Sequence, residues 1–202
     1  MRMTNATGEP RMGLRELTRS TVRDQIAEQA LVLFDTNGFD ATTIDDIAAT
    51  VGISSRSFFR YFPAKEDVVV GDPSALGALV RDAAAARPVD EPTWTVLRRS
   101  FDQFDFTDRA DIVRGLRIMR VMMSTASLRA RNLEKHIAWA VMLEPVIAER
   151  LTGDAETRRF QAQTLIHAAL ACFDVALSEW TRREGTTPIP LLLDEAFGTV
   201  RR

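Results

Sequence analysis

Apolar residues recur at helical spacing through most of this chain, and no segment alternates apolar and polar positions for long. Val22, Ile26, Ala30, Leu33 and Phe34 mark a first helix running from Thr18, and Asn37-Gly38 supplies a left-handed stop. A second short helix begins at Thr43 and a third follows Ile53. Pro63 can open the next helix, where its missing N–H costs little. That helix is predicted from about Ala64 to Ala86, with Gly71, Pro73 and Gly77 weakening its first part.

Arg87-Pro88-Val89-Asp90-Glu91-Pro92 is a clear break. Beyond it, helices are predicted over Thr93–Phe106, Arg109–Ser124, Leu128–Leu151, Ala155–Arg183 and Leu191–Val200. Pro145 should kink or split the segment that contains it. The fold class expected is all-α: a three-helix helix-turn-helix domain over 18–66, then a helical bundle over 67–202. Residues 1–17 read as a flexible basic arm.

The stretch from Thr43 to Lys65 carries the chemistry. Thr43 can cap the second helix, with Asp46 three residues on as a capping-box partner. Gly52 permits a tight turn, and Ser54 or Ser55 can cap the third helix. Ile44, Ile47, Val51, Ile53, Phe58 and Phe62 supply the apolar contacts between the two helices. Ser55, Arg56, Ser57, Arg60 and Tyr61 then remain for the exposed side, as donors suited to phosphates and base edges. On spacing alone, the same residues also fit a hairpin that merely packs, with its arginines in water.

The wording Phe39-Asp40-Ala41-Thr42-Thr43-Ile44-Asp45-Asp46-Ile47-Ala48, Gly52-Ile53-Ser54 and Phe58-Phe59-Arg60-Tyr61-Phe62-Pro63-Ala64-Lys65-Glu66-Asp67 resembles the N-terminal domain of TetR-family regulators. The likeness covers about Thr18 to Val70. It also resembles a mainly actinobacterial subgroup that includes the mycofactocin regulators, some of which are associated with acyl-CoA-like ligands. The resemblance implies a homodimer on a palindromic double-stranded DNA operator, and a C-terminal domain for a small-molecule effector and for dimerisation.

Residue by residue, the resemblance gives Thr43 and Lys65 to phosphates, and Arg56, Ser57 and Arg60 to the recognition helix. Phe59 stands where the family usually has Tyr, so a phosphate-binding hydroxyl is missing there. It can still pack on a sugar, and Tyr61 can supply a hydroxyl nearby. Val51 replaces the commoner Ala.

Arg11, Arg15, Arg19 and Arg23 can serve as a DNA-binding arm or as a solubilising tail.

Trp94, Phe101, Phe104, Met119, Met122, Met123, His136, Trp139, Met142, His167 and Phe173 form a reservoir of large, adaptable side chains. They suit either a pocket for an apolar or acyl-like effector or plain core. His136 and His167 are its polar candidates. Leu165, Ala169, Phe173, Ala176 and Leu177, with Leu192, Leu193, Ala196 and Phe197, suit either a dimer interface or the internal core. The dimer is favoured because a two-fold operator needs a two-fold protein.

Composition narrows the classes. With 46% hydrophobic and 27% charged residues, the chain can bury a large core. Its formal charge of −2 neither supports nor excludes DNA, because a local basic face suffices. One cysteine, Cys172, excludes an internal disulfide and a CxxC metal site. His136, Glu144, His167 and Cys172 match no catalytic spacing, so the expectation is no enzyme, no cofactor and no metal. No uninterrupted apolar run approaches the roughly 20 residues needed to span a bilayer, so the expectation is no membrane and a cytoplasmic location. An architectural DNA-binding protein without an effector is the remaining alternative.

Overall fold

The computed structural model describes residues 13–200 of the chain, and every described element is helical. It divides into two compact units, 1–68 and 69–202.

In the first unit, α1 (Leu14–Asn37), α2 (Ile44–Val51) and α3 (Ser55–Phe58) enclose a small core. Helix α1 starts four residues before Thr18, so Arg15 and Leu17 belong to it rather than to an arm. Arg11 lies outside the described residues. Ile26, Ala30, Leu31 and Phe34 are the buried stripe of α1, facing Phe39, Ile47, Phe58 and Phe62. The Phe34 and Phe39 rings meet at 4.8 Å, and those of Phe58 and Phe62 at 5.6 Å.

The helix expected over Ala64–Ala86 is broken. Helix α4 (Asp67–Val70) ends at Gly71, and α5 (Pro73–Ala85) starts afresh. The Asp72 side chain caps α5 by accepting from the backbone N–H of Ser74 and Ala75, and Pro73 occupies its first turn. A proline there forfeits no hydrogen bond, whereas inside a continuous helix it would.

The second unit packs α5, α6 (Thr93–Ser100), α7 (Arg109–Ser124), α8 (Ala126–Ala148), α9 (Ala155–Arg182) and α10 (Ile189–Val200). Helix α5 lies against α8, α8 against α9, and α9 against α10. The segment predicted as helix to Phe106 leaves the α-helix at Ser100 and continues as one 3-10 stretch, Phe101–Phe104.

Pro145 does not split α8, which runs through it to Ala148. It lies in the last turn, and the carbonyl it cannot serve belongs to Val141, an exposed residue that water can reach. Arg98, buried on α6, donates to Asp194 Oδ1 at 2.7 Å, Asp102 Oδ1 at 2.5 Å and the Pro190 carbonyl at 2.8 Å. These bonds tie α10 to α6 and satisfy a charge that would otherwise be costly to bury.

Helix α9 is long and apolar enough, by length and composition, to cross a membrane. This corrects the expectation from run length, which counted only uninterrupted apolar residues. Within the unit, Ala162, Ile166, Ala169, Leu170, Phe173, Ala176 and Trp180 of this helix are buried in the core.

Candidate DNA-binding and effector sites

The turn between α2 and α3 is built from its ends. Thr43 caps α2 and completes the capping box: its hydroxyl accepts from the Asp46 N–H at 3.1 Å and donates to Asp46 Oδ2 at 2.6 Å. Asp46 in turn accepts the Thr43 N–H at 2.9 Å. The Thr43 side chain, followed by its backbone, holds the Asp46 carboxyl below the usual range. Gly52 takes φ 72° and ψ 32°, a left-handed conformation that an L side chain would strain.

Ser54, not Ser55, caps α3, accepting the Ser57 N–H at 3.2 Å. Ser55 is half-buried and donates its hydroxyl to Asp45. The Ser57 hydroxyl lies 3.0 Å from that of Ser54. These serines spend their hydrogen bonds on the turn itself.

Phe58 and Phe62 point inward, and Arg56, Phe59 and Arg60 are left exposed. Phe59 is 53% exposed and meets Phe58 edge-on at 5.8 Å. Tyr61 is half-buried. Two arginines of α1 brace this element from behind. Arg19 donates to the Arg60 carbonyl at 3.2 Å, and the Arg23 guanidinium stands 4.8 Å from the Phe62 ring centroid.

Lys65 is the residue whose surroundings differ most from a plain phosphate contact. Its ammonium donates to the carbonyls of Phe39 and Thr42, at 2.8 and 2.9 Å. It thereby holds the loop that delivers Thr43 to α2. The sequence pattern gave no sign of this, because the partners are backbone atoms over twenty positions away.

In the second unit, most of the aromatic reservoir forms one connected chain of rings. Trp94 donates to the Phe197 carbonyl at 3.1 Å and meets that ring at 4.7 Å. Phe197 contacts Phe101, which stacks on Phe173 at 4.6 Å. Phe173 meets Phe104 at 5.1 Å, and Phe104 stacks on Trp139 at 5.8 Å. His136 closes the series, 5.5 Å from Trp139 and 6.4 Å from Phe173. Met119 borders this core and Met142 lies beside Trp139 and Gly77. Met122 is buried.

Met123 and His167 do not join it. Met123 is 48% exposed near the end of α7. His167 shares the outer face of α9 with Phe160, Thr164, Ala171 and Val175. The residues expected at a dimer interface are also redistributed. Ala169, Phe173, Ala176, Leu192, Leu193 and Phe197 are buried inside the single chain, while Phe160, Val175, Leu191 and Val200 are the exposed large apolar residues of α9 and α10.

Two charged residues beside these rings were missed. Asp174 on α9 holds an oxygen 3.3 Å from His136 Nδ1, and the Lys135 ammonium stands 5.0 Å from the Trp139 ring centroid. Burial, opposed by the Asp174 charge, pushes Lys135 down to about 8. Lys135 and Trp139 are four apart on one helix, a readable spacing. Asp174 meets His136 only through tertiary packing. Burial also raises the Cys172 thiol, which makes it a poor nucleophile.

A capped helix-turn-helix carrying exposed arginines, followed by a helical unit with its own aromatic core, defines the class of DNA-binding transcription regulators. Residues 26–70 match the family described as bacterial regulatory proteins, tetR family, and residues 91–202 match the MftR C-terminal domain. This chain belongs to the TetR family, with a C-terminal domain of the MftR type.

The putative mycofactocin biosynthesis transcriptional regulator MftR of Mycobacterium tuberculosis is 30% identical over 190 residues, covering 94% of this chain and 91% of the relative. The HTH-type transcriptional regulator TcmR of Streptomyces glaucescens is 28% identical over 180 residues, covering 86% and 79%. Among solved structures, a TetR-family regulator from Streptomyces coelicolor superposes with TM-score 0.54 at 17% identity, over 96% of this chain and 97% of that one. FadR of Bacillus subtilis, solved with stearoyl-CoA, gives TM-score 0.53 at 16% identity over 87% and 95%. These two share the fold.

Proposed function

We propose that this TetR-family regulator is a homodimeric repressor, released from a palindromic operator by a small apolar or acyl-like effector. The observation that carries the DNA half is the row Arg56, Phe59 and Arg60, exposed on α3 and the turn that follows it, where Ser55, Ser57 and Phe58 are buried or committed to the turn. Residues 18–66 read the DNA and residues 67–202 receive the effector. Arg56 and Arg60 read base edges. Thr43, Ser55, Ser57, Phe59, Tyr61 and Lys65 shape or contact the phosphate side, and Arg11 and Arg15 extend it.

The effector half rests on the linked rings of Phe101, Phe104, Trp139 and Phe173 with His136 at their end. The fold shared with a stearoyl-CoA-bound regulator supports an acyl-like ligand. The dimer rests on Phe160, Val175 and Leu191, apolar side chains more than half exposed on α9 and α10. The protein acts in the cytoplasm, and catalysis plays no part.

For the effector to relieve repression it must bind one state of the regulator better than the other. The test is selection of bound DNA from a random pool, followed by gel-shift titration with apolar ligands. A palindromic site whose affinity falls on ligand addition is expected. A site without two-fold symmetry would overturn the dimer. Unchanged affinity with every ligand, together with no thermal stabilisation, would leave an architectural DNA-binding protein.

A further inference from the structure

His136 is almost wholly buried, with a side chain only 5% exposed, yet its Nε2 has no hydrogen-bond partner. Its other nitrogen, Nδ1, lies 3.3 Å from Asp174 Oδ2. A carboxylate only accepts, so Nδ1 carries the hydrogen of this pair. In the neutral ring Nε2 is then a bare acceptor. The two ring nitrogens point in nearly opposite directions, so Nε2 faces away from Asp174.

The neighbouring rings cannot serve it. Phe173 has no donor, and Trp139 spends its indole N–H on the Pro73 carbonyl at 2.9 Å. A buried acceptor without a donor is costly to leave unmade, and native interiors seldom do so without reason.

We propose that Nε2 of His136 anchors the effector, and that this effector is a flat apolar molecule bearing a hydrogen-bond-donating hydroxyl, of the phenol class. The inference rests on the effector-binding role of this unit given above and deepens it. The rings of Trp139 and Phe173 beside His136 make its surroundings apolar and aromatic, which suits a flat apolar body because aromatic contacts are specific in geometry. The hydroxyl supplies the one donor that the surroundings lack. Asp174 fixes the tautomer, so it acts as a positioning residue.

The test uses the full chain and calorimetric titration with 1-naphthol, 1-methoxynaphthalene, naphthalene and 1-naphthoate. The wild type is expected to bind 1-naphthol about 10-fold more tightly than naphthalene or the methyl ether, which has the oxygen but no proton to give. In His136→Phe, which keeps a flat ring and deletes the acceptor, the preference is expected to shrink to within about 2-fold while naphthalene still binds.

Equal binding of 1-naphthol and its ether to the wild type overturns the anchor, leaving a trapped water as the partner of Nε2. That comparison needs no variant, so it holds even if His136→Phe fails to fold. A naphthol preference that survives His136→Phe also overturns it. Tightest binding of 1-naphthoate, lost in the variant, would make the ring a cationic donor and overturn the phenol class. If none of the four binds, the phenol anchor is overturned, while the effector role of this unit is decided separately by the gel-shift titration with apolar and acyl-like ligands.

Discussion

Lys65 donates from Nζ to the carbonyl oxygen of Phe39 at 2.8 Å, and the same ammonium stands 4.3 Å from the centroid of the Phe39 ring. With the bond to Thr42, two of its three N–H groups are committed to the loop before α2. One donor remains for a phosphate.

Lys65→Met should therefore show two effects. Loss of the charged hydrogen bonds should lower the stability of the first unit by about 1–3 kcal/mol, read by denaturant unfolding. DNA binding should weaken on operator and random sequences alike, with the salt slope reduced by about one. A stability loss with an unchanged slope would confine Lys65 to holding the loop.

Arg56 and Arg60 should behave differently. Each substitution to Ala is expected to cost about 1–3 kcal/mol on the operator and much less on random DNA, because bidentate base contacts discriminate. Both side chains are exposed, so the melting temperature should barely move. Equal losses on the two DNAs in gel-shift titrations would remove them as base readers.

Gly77 on α5 lies under Trp139. A Cβ there would sit 2.7 Å from Trp139 Cδ1 and 2.9 Å from Met142 Sδ. Gly77→Ala forces both side chains to shift, although Ala has the better helix propensity. The overpacking is expected to win and cost about 1–3 kcal/mol, measured by chemical denaturation. Displacing Trp139 should also strain its indole bond to Pro73, so a red-shifted tryptophan emission should accompany the loss.

Lys135 gives a pH dependence with a definite sign. Its folded value of about 8 lies below its ordinary 10.5, so the folded state binds fewer protons between those two values. Stability from this group therefore rises as pH climbs from about 8 towards 10.5, and its penalty is fully present below 8. Lys135→Met should stabilise the protein by about 1–2 kcal/mol at neutral pH, after allowing for partial exposure and the lost contact with the Trp139 ring. The gain should vanish near pH 10.5. A gain independent of pH would mean that burial of charge is not its cause.

The local parts of this protein were legible in order of how local their physics is. Thr43 and Asp46 announce a cap because the partners are three residues apart on one turn. Gly52 announces the turn because few other residues tolerate its backbone conformation. The stripe of Ile26, Ala30 and Phe34 follows from helical periodicity. The run from Asn37 to Lys65 was therefore readable as a helix-turn-helix, and its wording carried the family.

Tertiary structure decided what periodicity cannot: which face of an apolar helix is covered, and by what. Helix α9 has apolar residues on more than one side, so the sequence alone could not separate Phe173, which is buried, from Val175, which is 63% exposed. The same ambiguity grouped His136 with His167, although packing buries one and exposes the other. Asp174 reaches His136, and Lys65 reaches Phe39, across distances along the chain over which no local rule operates. Sequence fixes short-range hydrogen bonding and helical phase, since these depend on neighbours a turn away. Partners brought together by folding emerge only when whole helices settle against one another.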